Sequence, residues 1–287
     1  MHFPVMSNEV LEYLAPRADG VYIDATAGLG GLTAAIAQRA ERGLVIACDR
    51  DAESLELARQ NTVQWADRIR YCQARFSDLR SALAHCGIER ADGLLGDLGV
   101  SRYQLTDAAR GFSLQAEGPL DMRMDRTSQE PTAAEIVNTS AEKALADLIF
   151  QLGQERRARR IARAIVRARP IQSTLHLARV VELAAPRTSR IHPATQTFMA
   201  LRIAVNQEQE ELDRLLELGP ELVRGGGRIV IITFMSLEDR KVKHAFQGLA
   251  RAGRARLLTK HVVKPTWEEV QQNPASRSAK LRALELL

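Results

Sequence analysis

The sequence predicts an α/β protein: a doubly wound, mostly parallel sheet with an inserted α-helical subdomain. Three observations predict it. Short apolar runs alternate with helix-like segments through the first hundred residues, and a glycine-rich turn follows the first of those runs. The fourth and fifth runs are then separated by the 129 residues from 99 to 227.

Val21–Ala25, Leu44–Cys48, Ile69–Cys72 and Asp92–Leu98 are bounded by Gly, Asp or Pro and too short for helices, so they are expected as buried strands. Leu32–Arg42 and Ala52–Gln64 are the helices expected between them. Strands alternating with helices imply a parallel sheet covered on both faces. Arg228–Thr233, after Gly225-Gly226-Gly227, is the fifth strand, and Ala255–Val263 and Lys280–Leu286 are further candidates. A crossover needs about a dozen residues and its helix. One helix over 198–223 is expected to serve, which leaves roughly a hundred residues as an insertion. The insertion reads as helical, because Ala158, Ile161, Ala162, Ile165 and Val166 recur at helical spacing with arginines opposite. The expected division is 1–104 with 206–287 for the sheet domain, and 105–205 for the inserted domain.

Composition narrows the class. Of 287 residues, 45% are hydrophobic and 26% charged, which fits a globular chain rather than a disordered one. No run approaches the roughly 18 apolar residues of a membrane helix. Residues 1–10 show neither a basic start nor an apolar stretch, so no secretory leader and a cytoplasmic location are expected. Cys48, Cys72 and Cys86 are odd in number and lack C-x-x-C spacing, so neither a disulfide framework nor a metal site is expected. The charge of +5 is unevenly placed: residues 151–170 carry seven arginines against one acid, Glu155. Residues 183–207 hold no acid, while Arg187, Arg190, His192 and Arg202 are present. A solvated face mixes both signs, so this bias points to a polyanion partner.

The chemistry-bearing motif is Asp24-Ala-Thr-Ala-Gly28-Leu-Gly30-Gly31, directly after the first strand and opening a helix. Glycine there permits a tight turn and close approach of backbone to a ligand. Asp49, at the end of the second strand, is placed to accept from both hydroxyls of a ribose. A dinucleotide site wants glycine or alanine where Thr33 stands and no acid near its pyrophosphate, whereas Asp24 suits a cationic or amino-bearing ligand. This favours S-adenosylmethionine over a nicotinamide cofactor. Asp97 ends the fourth strand and is expected at the same carboxyl edge, where doubly wound sheets bind ligands.

With these motifs the chain resembles the ribosomal RNA small-subunit methyltransferase H family. The resemblance runs through Tyr22-Ile-Asp-Ala-Thr26, Asp49-Arg-Asp51, Asp97-Leu-Gly-Val-Ser101, Arg110-Gly-Phe-Ser113 and Gly118-Pro-Leu-Asp-Met-Arg-Met-Asp125. It continues in Arg159-Arg-Ile-Ala-Arg-Ala-Ile165, His192-Pro-Ala-Thr195, Ala200-Leu-Arg-Ile203 with Asn206, Ser236-Leu-Glu-Asp-Arg240 and Asn273-Pro274 to Lys280. It implies a Rossmann-like class I methyltransferase sheet with a helical insertion. The activity implied is methylation of the exocyclic amino group of a cytidine in 16S ribosomal RNA. The implied partner is that RNA or the assembled 30S subunit, without a membrane, and a homodimer is compatible with it. Gly28, Gly30, Gly31, Leu32 (through its N–H), Asp49, Phe76, Asp97 and Gln104 would contact the cofactor alongside Asp24. Departures stand at Leu32 and Met235, where the family usually has histidine, at Met199 for glutamine and at Gln154 for glutamate.

Methyl transfer from a sulfonium needs alignment and a proton acceptor rather than a metal. Asp97, or backbone carbonyls in the Leu98–Ser101 turn, is the expected acceptor, with Ser101 as a further candidate beside it. Phe112 is expected to stack on a flipped base, Arg123 to meet a phosphate or orient an acid, and Arg156, Arg160 and Arg163 to contact the RNA backbone. Two other readings stay open: a methyltransferase for another nucleic acid, and a non-catalytic ribosome-assembly protein of this fold.

Overall fold

A computed structural model describes residues 4–186 and 191–287; the expected leader-free start at 1–3 and the basic positions Arg187 and Arg190 lie outside the described residues. In chain order the elements are α1 Ser7–Leu14, β1 Val21–Asp24, α2 Gly31–Arg39, β2 Leu44–Asp49, α3 Ala52–Asn61, β3 Ile69–Gln73, α4 Leu79–His85 and β4 Ala91–Asp97. There follow α5 Arg102–Thr106, α6 Ala133–Thr139, α7 Glu142–Gly153, α8 Ala158–Ala168, α9 Thr174–Ala184, α10 Thr195–Val205 and α11 Glu208–Leu222. The chain finishes with β5 Val223–Thr233, α12 Ser236–Arg251, β6 Ala255–Leu257, α13 Trp267–Gln272 and β7 Lys280–Leu286.

Two compact units result: residues 1–99 with 209–287, and residues 100–208. The first holds a seven-stranded sheet in the order β3-β2-β1-β4-β5-β7-β6. The first five strands pair in parallel, and β7 is antiparallel to both its neighbours. Strand order reverses between β1 and β4, the switch point at which such sheets bind ligands beyond their carboxyl ends. Strands β1, β2 and β4 are almost wholly buried, as their unbroken apolar runs require of a sheet covered on both faces.

Three expectations need correction here. The single crossover helix is two helices, because the chain breaks at Asn206 and Gln207, where Gln207 takes φ 51°. The Asn206 side chain explains the break: its Nδ2 donates to Met122 O (2.7 Å) and its Oδ1 accepts from Met124 N (2.8 Å). Residues 255–263 form only a three-residue strand and an isolated bridge from Val263 to Leu281. The fifth strand begins before its glycines, with Val223 opposite Ala91, and the register shifts before Arg228 meets Gly93.

The second unit is helical. Its core is drawn from α6 to α10 together with Phe112, Leu120, Met122 and Met124. A boundary at 104/105 would cut α5 in two. That helix is closed by a reciprocal cap in which Ser101 Oγ accepts from Gln104 N and Gln104 Oε1 accepts from Ser101 N.

Candidate functional site

Asp24, Asp49 and Asp97 stand at the carboxyl tips of three adjacent strands. Asp24 pairs in register with Ala47 of β2 and Leu95 of β4, so Asp49 and Asp97 each lie two residues further along on either side. Backbone bonds fix the row: Ala27 N donates to Cys48 O and Ala25 N to Leu95 O. The Thr26 hydroxyl accepts from Asp97 N at 2.6 Å, tying the tip of β4 to that of β1.

The glycine-rich turn is shaped by need. Gly28 takes φ 52°, and its N–H donates to Asp49 Oδ2 at 2.8 Å. Gly30 takes φ 86°, and a Cβ there would lie 2.8 Å from Thr62 Cγ2 and 3.2 Å from Ala58 Cα. Only glycine satisfies both limits. Gly30 is also the N-cap of α2 and supplies no side-chain cap, so the first-turn N–H groups of Gly31 and Leu32 keep the anion-attracting character of a helix start.

The carboxylates differ in commitment. Asp24 is fully buried, with Oδ1 accepting from Thr26 N (3.1 Å) and Oδ2 from the Thr33 hydroxyl (2.6 Å). Burial pushes it up to about 6 against those bonds. The expected contact of Asp24 with a ligand amine is therefore corrected: it holds the turn from inside. Asp49 is partly accessible, accepts from Gly28 N and from Asp51 N (2.9 Å), and is also pushed by burial up to about 6. A carboxylate oxygen has lone pairs beyond one such bond, so Asp49 retains capacity for hydroxyls.

Asp97 is the outlier. Its Oδ1 is buried and has no hydrogen-bond partner. Burial, then the charges of Asp24 and Glu238, push its carboxyl up to about 8. A buried acceptor without a partner is costly to keep and marks a group held ready for a ligand or a proton. Glu238, in the first turn of α12, adds its charge nearby, and its Oε2 accepts from Phe234 N and Met235 N, both at 3.1 Å. The neighbouring Asp239 is bound by Arg282 at 2.7 Å. Phe76 follows β3 in a short turn that packs on the sheet core, fixed by Ser77, whose N–H and hydroxyl both donate to Glu211.

The family model for the MraW methylase family matches residues 1–287. A Solibacter usitatus protein named ribosomal RNA small subunit methyltransferase H is 61% identical over 286 residues, covering 100% of both chains. A protein of the same name from Koribacter versatilis is 49% identical over 98% of this chain and 93% of its own. A solved rRNA methylase from Streptococcus thermophilus aligns over 98% of this chain and 93% of its own at TM-score 0.44 and 13% identity. The chain belongs to the MraW methylase family.

Family membership makes the sheet a class I methyltransferase sheet and the cofactor S-adenosylmethionine. The residues present fit it: a partly accessible carboxylate at the tip of β2, a tight glycine turn after β1, an aromatic in the turn after β3 and an unpartnered acceptor at the tip of β4. Leu32, at a position where the MraW-family resemblance leads one to expect histidine, turns its side chain into the core and leaves only backbone to a ligand. Met235 lies in the turn that Glu238 caps, so backbone geometry there is kept without an imidazole.

Ser101 and Gln104 cap α5 through Ser101 Oγ and Gln104 Oε1, which fixes both side chains at the end of β4. Within the helical unit, the expectations for Phe112 and Arg123 are corrected. Phe112 is 6% exposed in the helical core and offers no face for stacking on a base. Arg123 forks onto Asp121 at 2.7 and 3.0 Å and donates to Ser128 O, so it orients an acid rather than meeting a phosphate. Arg110, fully buried, donates to Met124 O at 2.8 Å. The arginine stripe is exposed: Arg156, Arg159, Arg160 and Arg167 face solvent with no ion pair among the described residues, and Arg163 lies 3.5 Å from Glu142. Sequence reasoning missed Thr26 and Thr33, whose partners Asp97 and Asp24 come from other elements, and Glu238, which caps the turn just before its own helix.

Proposed function

We propose that this methyltransferase moves the methyl group of S-adenosylmethionine onto the exocyclic amino group of a cytidine in small-subunit ribosomal RNA. The observation that carries the reading is Asp97 Oδ1, a buried acceptor with no partner at the sheet edge where the cofactor belongs. When bound, S-adenosylmethionine supplies an electrophilic methyl group on a positively charged sulfonium.

The chain's own groups do the rest. Asp49 accepts from ribose hydroxyls, the 28–31 turn brings backbone close to the amino-acid end, and Phe76 borders the adenine. With its carboxyl up at about 8, Asp97 is mostly protonated near neutral pH in the free protein. A cation beside it favours its ionised form. Ionised Asp97 then accepts an N–H of the cytosine amine, which frees the nitrogen lone pair from the ring and gives the proton a destination. Alignment supplies the remaining rate.

Arg156, Arg160 and Arg163, with Arg159 and Arg167, form the stripe that meets RNA phosphates in this reading. The assembled 30S subunit is the proposed substrate form, the cytoplasm the proposed location and a homodimer the proposed assembly. None of the described helices is long and apolar enough to cross a membrane. The substrate is tested by mass mapping of ribosomal RNA from cells with and without the gene. Loss of one methyl on one small-subunit cytidine supports the reading, and an unchanged map overturns it.

A further inference from the structure

All three cysteines of the chain meet in one place, although nothing in their spacing pairs them. Cys48 on β2 is the register partner of Cys72 on β3, and Cys86 follows α4 with its Sγ 3.7 Å from that of Cys72. Cys48 is fully buried, whereas Cys72 and Cys86 are partly exposed. None of them takes part in methyl transfer as derived above. Among the described residues no group of three or more metal-ligating side chains is placed to hold an ion, so the cluster reads as thiol chemistry.

The two exposed members are unequal. Cys48 beside it, and to a lesser degree Cys86, pull the Cys72 thiol down to about 6 against the effect of burial. Burial, then Cys72, pushes Cys86 up to about 11. One sulfur is thus set to be a thiolate nucleophile while its neighbour keeps its proton. A disulfide needs its sulfurs about 2.05 Å apart, so this pair closes by a movement of under ~2 Å.

We propose that Cys72 and Cys86 are a redox pair that hydrogen peroxide closes into a disulfide, bracketing the segment that carries Phe76. The Cys72 thiolate attacks one peroxide oxygen; an S–O bond forms, the O–O bond breaks, and the departing hydroxide takes up a proton as water. Cys86 sulfur then attacks Cys72 sulfur; the S–S bond forms, the S–O bond breaks, and the hydroxide leaves as water with the Cys86 proton. Two thiols are oxidised, one peroxide is reduced, and two waters are released. The crosslink joins the two ends of residues 73–85, whose middle is anchored by Ser77 on Glu211. Closing the link pulls on the chain four residues before Phe76, and in this proposal Phe76 shifts with the redox state against the Ser77 anchor. This consequence rests on its proposed place beside the adenine.

The test treats the folded full-length chain with stoichiometric hydrogen peroxide, alkylates remaining thiols after unfolding, and maps peptides by mass. The expected product is a linked Cys72–Cys86 peptide with Cys48 alkylated, reversed by dithiothreitol and formed equally by Cys48→Ser. Cys86→Ser should instead yield a Cys72 sulfenic acid that a cyclic 1,3-dione traps. In the reduced protein at pH 7, Cys72 should alkylate at least about tenfold faster than Cys86, because a thiolate-fraction advantage of about 10⁴ outweighs the lower intrinsic nucleophilicity of its thiolate. A Cys48–Cys72 link, or oxidation with no intramolecular link, overturns the pair. Calorimetry with S-adenosylhomocysteine should show at least about threefold weaker binding after oxidation, restored on reduction. Equal affinity in both redox states overturns the coupling to Phe76. Absence of binding even to the reduced protein instead refutes the cofactor site and leaves the thiol result to be judged by mass alone.

Discussion

Replacing Asp97 by asparagine tests the electrostatics of the site through stability alone. An Asp at its ordinary value of 3.8 is ionised in the unfolded chain from pH 5 upward, whereas in the folded protein it keeps its proton to about 8. A raised carboxyl of this kind favours the folded state fully below the unfolded value. That contribution is lost as pH rises toward 8. Between pH 5.5 and 8 the loss has a ceiling of about 3 kcal/mol, from about 1.4 kcal/mol per unit over about 2.5 units. Partial exposure of the residue trims this to about 1–3 kcal/mol. Asparagine keeps the shape without the titration. Asp24 and Asp49, each raised to about 6, remain in both proteins and largely cancel in the comparison. Both tryptophans, Trp65 and Trp267, lie in the sheet unit, so urea unfolding followed by intrinsic fluorescence reports on that unit. The wild type should lose about 1–3 kcal/mol more than Asp97→Asn between about pH 5.5 and 8. Equal losses would refute the claim that this carboxyl is held neutral by its surroundings.

Gly30→Ala should cost about 1–3 kcal/mol and abolish measurable cofactor binding, since the Cβ meets Thr62 and the φ of 86° resists any side chain; a normal midpoint by thermal scan with normal binding would contradict this. Thr33→Val removes the hydroxyl that donates to the fully buried Asp24 and should destabilise by about 1–3 kcal/mol, read by urea titration at pH 7. Because that hydroxyl lowers the Asp24 value, the variant should also lose stability with rising pH to a higher pH than the wild type. For single-stranded RNA, five phosphate contacts predict a log–log salt slope of about −3.5, and replacing Arg156, Arg159 and Arg160 by glutamine should flatten it by about 2. An unchanged slope would remove the stripe from the RNA interface.

Most of the sheet was legible because buried parallel strands are written as short apolar runs between Gly, Asp and Pro, a purely local signal. The acids at the tips of β1, β2 and β4 were legible for the same reason: each ends its run. What Asp24 does was not, because its partner Thr33 comes from the following helix, and Thr33 alone reads as a mismatch to a dinucleotide pattern. Phe112 was misread because exposure is decided by the packing of α6 to α10 around it, which no motif encodes. The break at Asn206 escaped for a similar cause, since its helical periodicity continues while its side chain caps backbone eighty-odd residues away. The cysteine cluster depends wholly on strand register and the return of α4, so spacing in the chain was silent about it.

Calorimetric titration of S-adenosylhomocysteine into wild type and Asp49→Ala probes the site most directly. If the carboxylate at the tip of β2 holds the ribose of the cofactor, the wild type binds and the variant binds about 10–100-fold more weakly, the loss of one or two charge-assisted hydrogen bonds. Equal affinity in the two proteins, or none in the wild type, would contradict the cofactor site described here.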